Sequence, residues 1–421
     1  MLSRETLRND LRDHAFGLGR ARAEGPPRIG AEVELIPVDA DTGAQVPIQS
    51  CGGVATLPVV RRHAGRNGWT EEPSDYGVPR WTLPDGGIVS YEPGGQIEIS
   101  AAVFPSATAL VASLRGAVLP LSASMMDAGI RLLSVGIEPR GGIEHVPLQL
   151  PGTRYVRMTE FMEAIGTGGT RMMRQTAAMQ VSLDFGADPL ARWRVWNGMA
   201  PYVTAIFANS PVYRGQPTGD RSFRARVWRE LDGGRTGCFP CADPVEEYLD
   251  FALAAPVILG PAAAAPPASF AEWNRRGCTS LGDWRLHLTT LFPEVRPKGY
   301  AEVRSADAVD PKWYAAPLVL LAGIGYHAPS LRAAAELLAD PADGLLHAAG
   351  RDGLSHPAIS ATANALVDLA LAGTAALPDF FSSTDIDEAG EFFGRYTRRG
   401  RSPADDTLDA LAPAPPLAPV P

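Results

Sequence analysis

Alternation of acidic and apolar side chains marks the first clear element of the chain. From Ile29 to Val38, Glu32 and Glu34 fall on one side and Val33 and Leu35 on the other, the period-two pattern of a half-buried strand. Two further strands are predicted at Gly86–Tyr91 and Gln96–Ser100, separated by a Pro93-Gly94-Gly95 turn, and another at Ala177–Phe185, with Gln180, Ser182 and Asp184 on one face. Arg131–Ile137 and Gly299–Ser305 read as shorter strands, the latter placing Glu302 and Arg304 together.

Helical periodicity is predicted for Ser3–Ala23, Ser106–Gly129, Arg154–Ile165, Leu190–Ala208 and Val245–Ala254, and as three Ala/Leu-rich helices across Pro317–Leu377. Arg224, Arg226 and Arg235 fall in a loop. Gly166-Thr167-Gly168-Gly169 reads as a flexible turn, a weak phosphate loop, and a candidate part of a covering loop. Pro261–Pro267 reads as an irregular connection, and Leu411–Pro421 as an Ala/Pro-rich disordered tail. Strands scattered irregularly between helices favour an α+β fold on an antiparallel sheet, with residues 1–410 forming a single domain.

Composition narrows the function more than the fold. A net charge of −9 disfavours a nucleic-acid partner, and 45% apolar with 20% charged residues is an ordinary globular balance. The longest apolar runs, such as Ala315–Ile324, fall short of a membrane span, so the expectation is a cytoplasmic monomer or homodimer acting on small molecules. Cys238 and Cys241 form a C-x-x-C, compatible with half a zinc site or a redox pair. No second pair completes four ligands, so two reduced thiols in a turn are expected. Lys298 and Lys312 are the only lysines, and neither has the neighbours of a Walker A loop.

The chemistry then rests on carboxylates. Glu32, Glu34, Glu92, Glu98 and Glu302 all lie in strands or at strand edges. Any one of them is compatible with a solvated sheet face. Several on one concave face would repel one another unless cations intervene, and Mg²⁺ suits such acids because it keeps waters and bridges to substrate phosphates. ATP would then be held through metal rather than through a glycine loop and lysine.

Four runs, Ile29–Leu35, Tyr91–Ser100, Gln180–Phe185 and His287–Arg304, resemble glutamate–cysteine ligases of the plant and bacterial type. The likeness runs in order from Gly30 to Asp307, with a weaker echo at Arg399–Asp405, and its wording is nearest the bacterial ligases that feed ergothioneine synthesis. The resemblance implies a glutamine-synthetase-like antiparallel funnel that joins the γ-carboxyl of glutamate to the amine of cysteine, using ATP and Mg²⁺. The product, γ-glutamylcysteine, would serve ergothioneine or glutathione synthesis. It further implies that Glu32, Glu34, Glu92, Glu98 and Glu302 are metal ligands or their neighbours, that Arg224 grips a substrate carboxylate, and that Arg304 faces phosphate. Gln180 and Ser182 would face the substrates, and Arg154 and Tyr155 would help bind them. Apart from the resemblance, Lys298 in its Pro-Lys-Gly turn reads as an exposed turn lysine, with contact to a phosphate as the alternative.

One departure stands out: Met172-Met173 is followed by Arg174-Gln175-Thr176-Ala177 where plant enzymes carry Phe-Arg-Thr-Cys, so the role of that arginine does not carry over. The sequence alone leaves three other readings open. They are a γ-glutamyl ligase with a different amine acceptor, a catalytically silent binding relative, and a metal-dependent hydrolase that needs no ATP.

Overall fold

The longest strand, β1 (Ile29–Asp39), is the axis of the sheet because each of its faces suits a different neighbour. The computed structural model describes residues 1–18, 27–239, 243–260, 268–277, 279–339 and 344–411. The other strands, in chain order, are β2 (Thr70–Glu72), β3 (Arg80–Thr82), β4 (Ile88–Tyr91), β5 (Ile97–Ser100), β6 (Ile130–Leu133), β7 (Ala178–Leu183), β8 (Val212–Tyr213), β9 (Gln216–Pro217), β10 (Val295–Pro297) and β11 (Ala301–Asp307). Nine of the eleven strands among the described residues form one sheet in the order β10-β11-β7-β1-β5-β4-β3-β2, with β6 paired to the far half of β1; β8 and β9 form a separate hairpin. Every pairing within the large sheet is antiparallel.

Around the sheet lie α1 (Arg4–Asp10), α2 (Thr56–Asn67), α3 (Ala107–Met126), α4 (Thr153–Ile165), α5 (Thr167–Gln175), α6 (Pro189–Ile206), α7 (Phe223–Arg229) and α8 (Pro244–Ala254). They are followed by α9 (Phe270–Arg275), α10 (Leu281–Leu288), α11 (Ala315–Gly325), α12 (Ala328–Leu337), α13 (Leu345–Asp352), α14 (Pro357–Ala375), α15 (Ser383–Arg395) and α16 (Pro403–Leu411). One sheet face carries Val33, Leu35, Ile97, Ile99, Val181, Leu183 and Val303, all buried, with α3, α6 and α11 packed against the sheet. Helix α11 is buried along its whole length, so it shows no amphipathic stripe and reads as pure core.

The α+β class and the antiparallel sheet match the sequence reading, and several details correct it. The first helix ends at Asp10 and continues as a wider π-type turn, Leu11–Ala15; residues 16–18 are not helical, and residues 19–23 of the expected Ser3–Ala23 helix lie outside the described residues. The strand expected over Arg131–Ile137 is only Ile130–Leu133, and the one expected from Gly299 begins at Ala301. Four α-helices, α11 to α14, occupy the stretch read as three. Two helices, α3 and α14, are long and apolar enough to cross a membrane by length and composition, against the expectation that no run was; each buries one face in the core.

Gly166–Gly169 is not a flexible turn. Gly166 ends α4 and the next residues begin α5, whose glycines allow close packing. A Cβ at Gly169 would fall 2.5 Å from Met162 Sδ, and one at Gly168 3.0 Å from the Glu230 carbonyl. Arg224 and Arg226 likewise lie on α7, not in a loop. Residues 261–267, 412–421 and Cys241 are outside the described residues, so the irregular connection, the tail and the C-x-x-C are not described; Leu411 still belongs to α16.

Candidate active site

Register brings the polar side chains together. Glu34 pairs with Glu98, Glu32 with Gln180, Ser182 with Glu302, and Arg296 with Glu302. Because strand side chains alternate, these all project from the face opposite the core. The tight turn after β4 adds Glu92, which accepts from Gly95 N at 2.8 Å through its backbone. That turn needs glycine twice over. Gly95 has φ +92°, and a Cβ on Gly94 would lie 1.9 Å from the Arg174 carbonyl oxygen.

The result is a cleft with about 770 Å³ of space between side chains, partly open to solvent. Glu32, Glu34, Glu92 and Glu98 line it, as do Gln180, Arg154, Tyr155, Arg224 and Arg304. The four acids sit low in it. Burial first, then the charge of Glu98, pushes Glu32 up to about 7. Burial also raises Glu34, Glu92 and Glu98, with neighbouring glutamates adding to the effect. Such an arrangement favours a bound cation. Among the described residues no group of three or more His, Cys, Asp or Glu side chains is arranged to hold a metal ion by itself. The carboxylates lining the cleft fit Mg²⁺ by their chemistry, since it takes one or two such groups and completes its shell with water and phosphate oxygens.

Glu302 differs from the other four. It is fully buried and does not line the cleft; Oε2 accepts from Arg296 Nε at 2.7 Å and Arg304 Nη1 at 2.8 Å, and Oε1 from Lys298 Nζ at 2.9 Å. Burial works to raise this carboxyl, but the charges of Arg296, Arg304 and Lys298 outweigh it and hold it well below the usual range. Of the five acids expected as metal ligands or their neighbours, four line the cleft, and the fifth, Glu302, is the counter-ion of three cations. Lys298 is tied to Glu302 and lines a neighbouring groove rather than the central cleft. Ser182 lies in a shallow pocket at the other end of the sheet face, which shares only Glu32 with the cleft.

The arginines are the most constrained parts. Arg304 Nη1 donates to Gln180 Oε1, whose amide in turn donates to Glu34 Oε1 at 2.9 Å, so one relay crosses three strands. Arg224, 3% exposed, donates to the Arg304 carbonyl at 2.9 Å. Both guanidinium carbons stand 5.4 Å from the ring of Trp228. The Nε of each is buried without a hydrogen-bond partner among the described residues, and both side chains line the cleft. Arg154 is held by Thr289 through Oγ1 and the carbonyl, both at 2.8 Å, and Tyr155 packs against Tyr76 with ring centres 4.8 Å apart.

Sequence reasoning missed Arg296, Gln96, Thr176, Trp228 and Phe292, all of which line the cleft. Arg296 was within reach, since a Pro-Lys-Gly turn flanked by two strands puts it opposite Glu302. Met172 and Met173 line the cleft as well. His287 is a core histidine bonded to the Ala252 carbonyl, and burial pushes it down to about 4.

Fold and cleft together define the class, an antiparallel sheet surrounded by helices with a cleft of acids and arginines on its open face. A glutamate–cysteine ligase of Francisella tularensis, solved in complex with AMP, shares the fold at a TM-score of 0.51 and 13% identity, over 91% of this chain and 84% of that one. Residues 28–415 match glutamate-cysteine ligase family 2, and the chain belongs to that family. It is 34% identical over 351 residues to the glutamate–cysteine ligase EgtA of Mycolicibacterium smegmatis, covering 78% of this chain and 79% of that protein. Against the chloroplastic glutamate–cysteine ligase of Arabidopsis thaliana it is 34% identical over 278 residues, 60% of this chain and 51% of the relative. The chain thus spans about half the length of the plant relatives it matches.

Proposed function

We propose that the protein joins the γ-carboxyl of L-glutamate to the amine of L-cysteine at the expense of ATP, through a γ-glutamyl phosphate, within one catalytic unit over residues 1–410. The observation that carries this reading is the juxtaposition of four half-buried glutamates with two arginines whose buried Nε groups lack partners among the described residues, all around one cleft. Glu32, Glu34, Glu92 and Glu98 would hold Mg²⁺, which when bound neutralises charge between the triphosphate and the incoming carboxylate. Arg224 would fix the carboxylate of the amino-acid substrate, using guanidinium donors not taken up by the Arg304 carbonyl. Arg304, oriented by Glu302 and Gln180, would steady charge on the transferring phosphoryl group.

Gln180 would keep Glu34 and Arg304 in register, and Arg154 and Tyr155 would close the glutamate side of the cleft. Lys298 and Arg296 would act through Glu302. The acyl phosphate must be kept from water. The wall formed by Met158, Met172, Met173, Trp228 and Phe292 would serve that purpose. The product would enter low-molecular-weight thiol synthesis, ergothioneine or glutathione, in the cytoplasm.

Incubating the purified protein with L-glutamate, L-cysteine, ATP and Mg²⁺ should give γ-glutamylcysteine and one ADP for each product molecule. A panel of other amines tests the acceptor. ADP formed only with a different amine would reassign the acceptor, and product formed without ATP would overturn the reading.

A further inference from the structure

Asp307 belongs to none of the groups above, yet its contacts lead to both arginines. It is 1% exposed, and its place is set by an irregularity in β11. Val303 pairs with Val181 but Ala306 with Met179, so β11 carries one residue more than β7 over that interval. In a regular strand residues 304 and 307 would point to opposite faces. The bulge brings Asp307, opposite Ala178, to the face that carries Glu302 and Arg304.

There its carboxylate is a junction. Oδ2 accepts from Asn209 N at 2.8 Å and Ser210 Oγ at 2.7 Å; Oδ1 accepts from Ser222 Oγ at 2.9 Å and stands 3.7 Å from Arg224 Nη1. Ser222 is also the N-cap of α7, its Oγ accepting from Ala225 N at 3.1 Å. The opposite wall makes room: a Cβ on Gly136 would lie 2.4 Å from Asp307 Cγ. A helix of seven residues is too short to hold itself in water, so the direction of Arg224, at its second position, depends on what anchors the start of α7.

We propose that Asp307 is a positioning residue that fixes the start of α7 and the guanidinium of Arg224, so that Arg224 and Arg304 form one rigid grip for the acidic amino-acid substrate. The proposal rests on the ligase reading of the cleft, and the test separates the two.

Asp307→Asn keeps the size and most hydrogen bonds and removes the charge facing Arg224. With an unchanged circular dichroism spectrum, it should raise KM for L-glutamate about tenfold, the size of one lost charge-assisted hydrogen bond, and leave KM for ATP within about twofold. Arg224 in the intact protein should resist phenylglyoxal, and in the variant should be modified faster, as read by peptide mass mapping. In an Arg224→Lys background, adding Asp307→Asn should change KM for L-glutamate by less than about twofold, because the group it acts on is gone. Multiplicative effects of the two substitutions, or equal modification rates, would overturn the proposal. Should Asp307→Asn fail to fold, Ser222→Ala removes one tether and leaves the carboxylate. It should expose Arg224 to a smaller degree, and no change there would equally overturn it. If the unaltered protein shows no ligase turnover, the functional reading fails, while phenylglyoxal mapping still decides the role of Asp307.

Discussion

The four cleft glutamates are held against their own electrostatics, and that sets a pH signature. Folding raises Glu32 from about 4.5 to about 7, chiefly through burial. A group that holds its proton more tightly when folded stabilises the fold fully below its unfolded value and loses that contribution as pH rises through the folded one. The protein without metal should therefore lose stability between about pH 4.5 and 7 on account of Glu32. Mg²⁺ binds the ionised acids, so its stabilising effect should grow over the same interval. Melting temperatures with and without Mg²⁺ across that range check this, and a shift independent of pH would mean that the acids are not its ligands. Arg304 gives a second residue-scale test. Lysine there keeps the charge but loses the planar fork that reaches Gln180 and Glu302 together. Arg304→Lys should lower kcat about 100-fold with little change in melting temperature, in line with the loss of one preorganised donor to developing charge.

Among the elements, the turn between β4 and β5 has the least tolerance. Gly94→Ala would push a methyl to 1.9 Å from a backbone oxygen of Arg174, which cannot rotate away. The cost should reach at least about 3 kcal/mol, the upper range for overpacking, and urea unfolding measures it. Since the turn also carries Glu92 and precedes Glu98, Mg²⁺ binding should weaken as well.

The same elements show what could be read beforehand. β1, β5 and β7 were legible because each alternates between a core face and a polar face, and that alternation already selected Glu32, Glu34, Glu98 and Gln180. Helices α3, α4, α6 and α8 were legible from apolar runs with clear ends. β2 and β3 were not, because three residues carry no period. Helix α5 reads as a turn because Thr-Gly-Gly-Thr disfavours helix locally; its helicity comes from packing against α4 and the end of α7. The bulge in β11, which sets the direction of Asp307, exists only through pairing with the distant β7, so spacing along the chain could not show it, whereas the three cations around Glu302 all lie on its own hairpin.

Across the whole molecule, the N-terminal segment is tied to the chemistry at a distance. Leu7, Leu11 and Phe16 are buried, and the Phe16 ring packs 4.9 Å from Trp193 and 6.0 Å from Tyr248, bridging α6 and α8. Just before it, the Ala15 carbonyl accepts from Gly299 N at 2.6 Å, and Gly299 is the left-handed residue, φ +80°, of the turn joining β10 to β11. That turn carries Lys298, which with Arg296 and Arg304 surrounds Glu302. Phe16→Ala should cost about 3–5 kcal/mol as a buried aromatic truncation. If the segment also braces the hairpin, the variant should show a raised KM for ATP at temperatures where it remains folded, because Lys298 and Glu302 would no longer hold Arg304 in one place. Steady-state kinetics about 15 °C below the melting midpoint separate the two effects, since global unfolding contributes little there. A lowered melting temperature with unchanged KM would show that sheet pairing alone holds the hairpin, and that the first sixteen residues serve stability only.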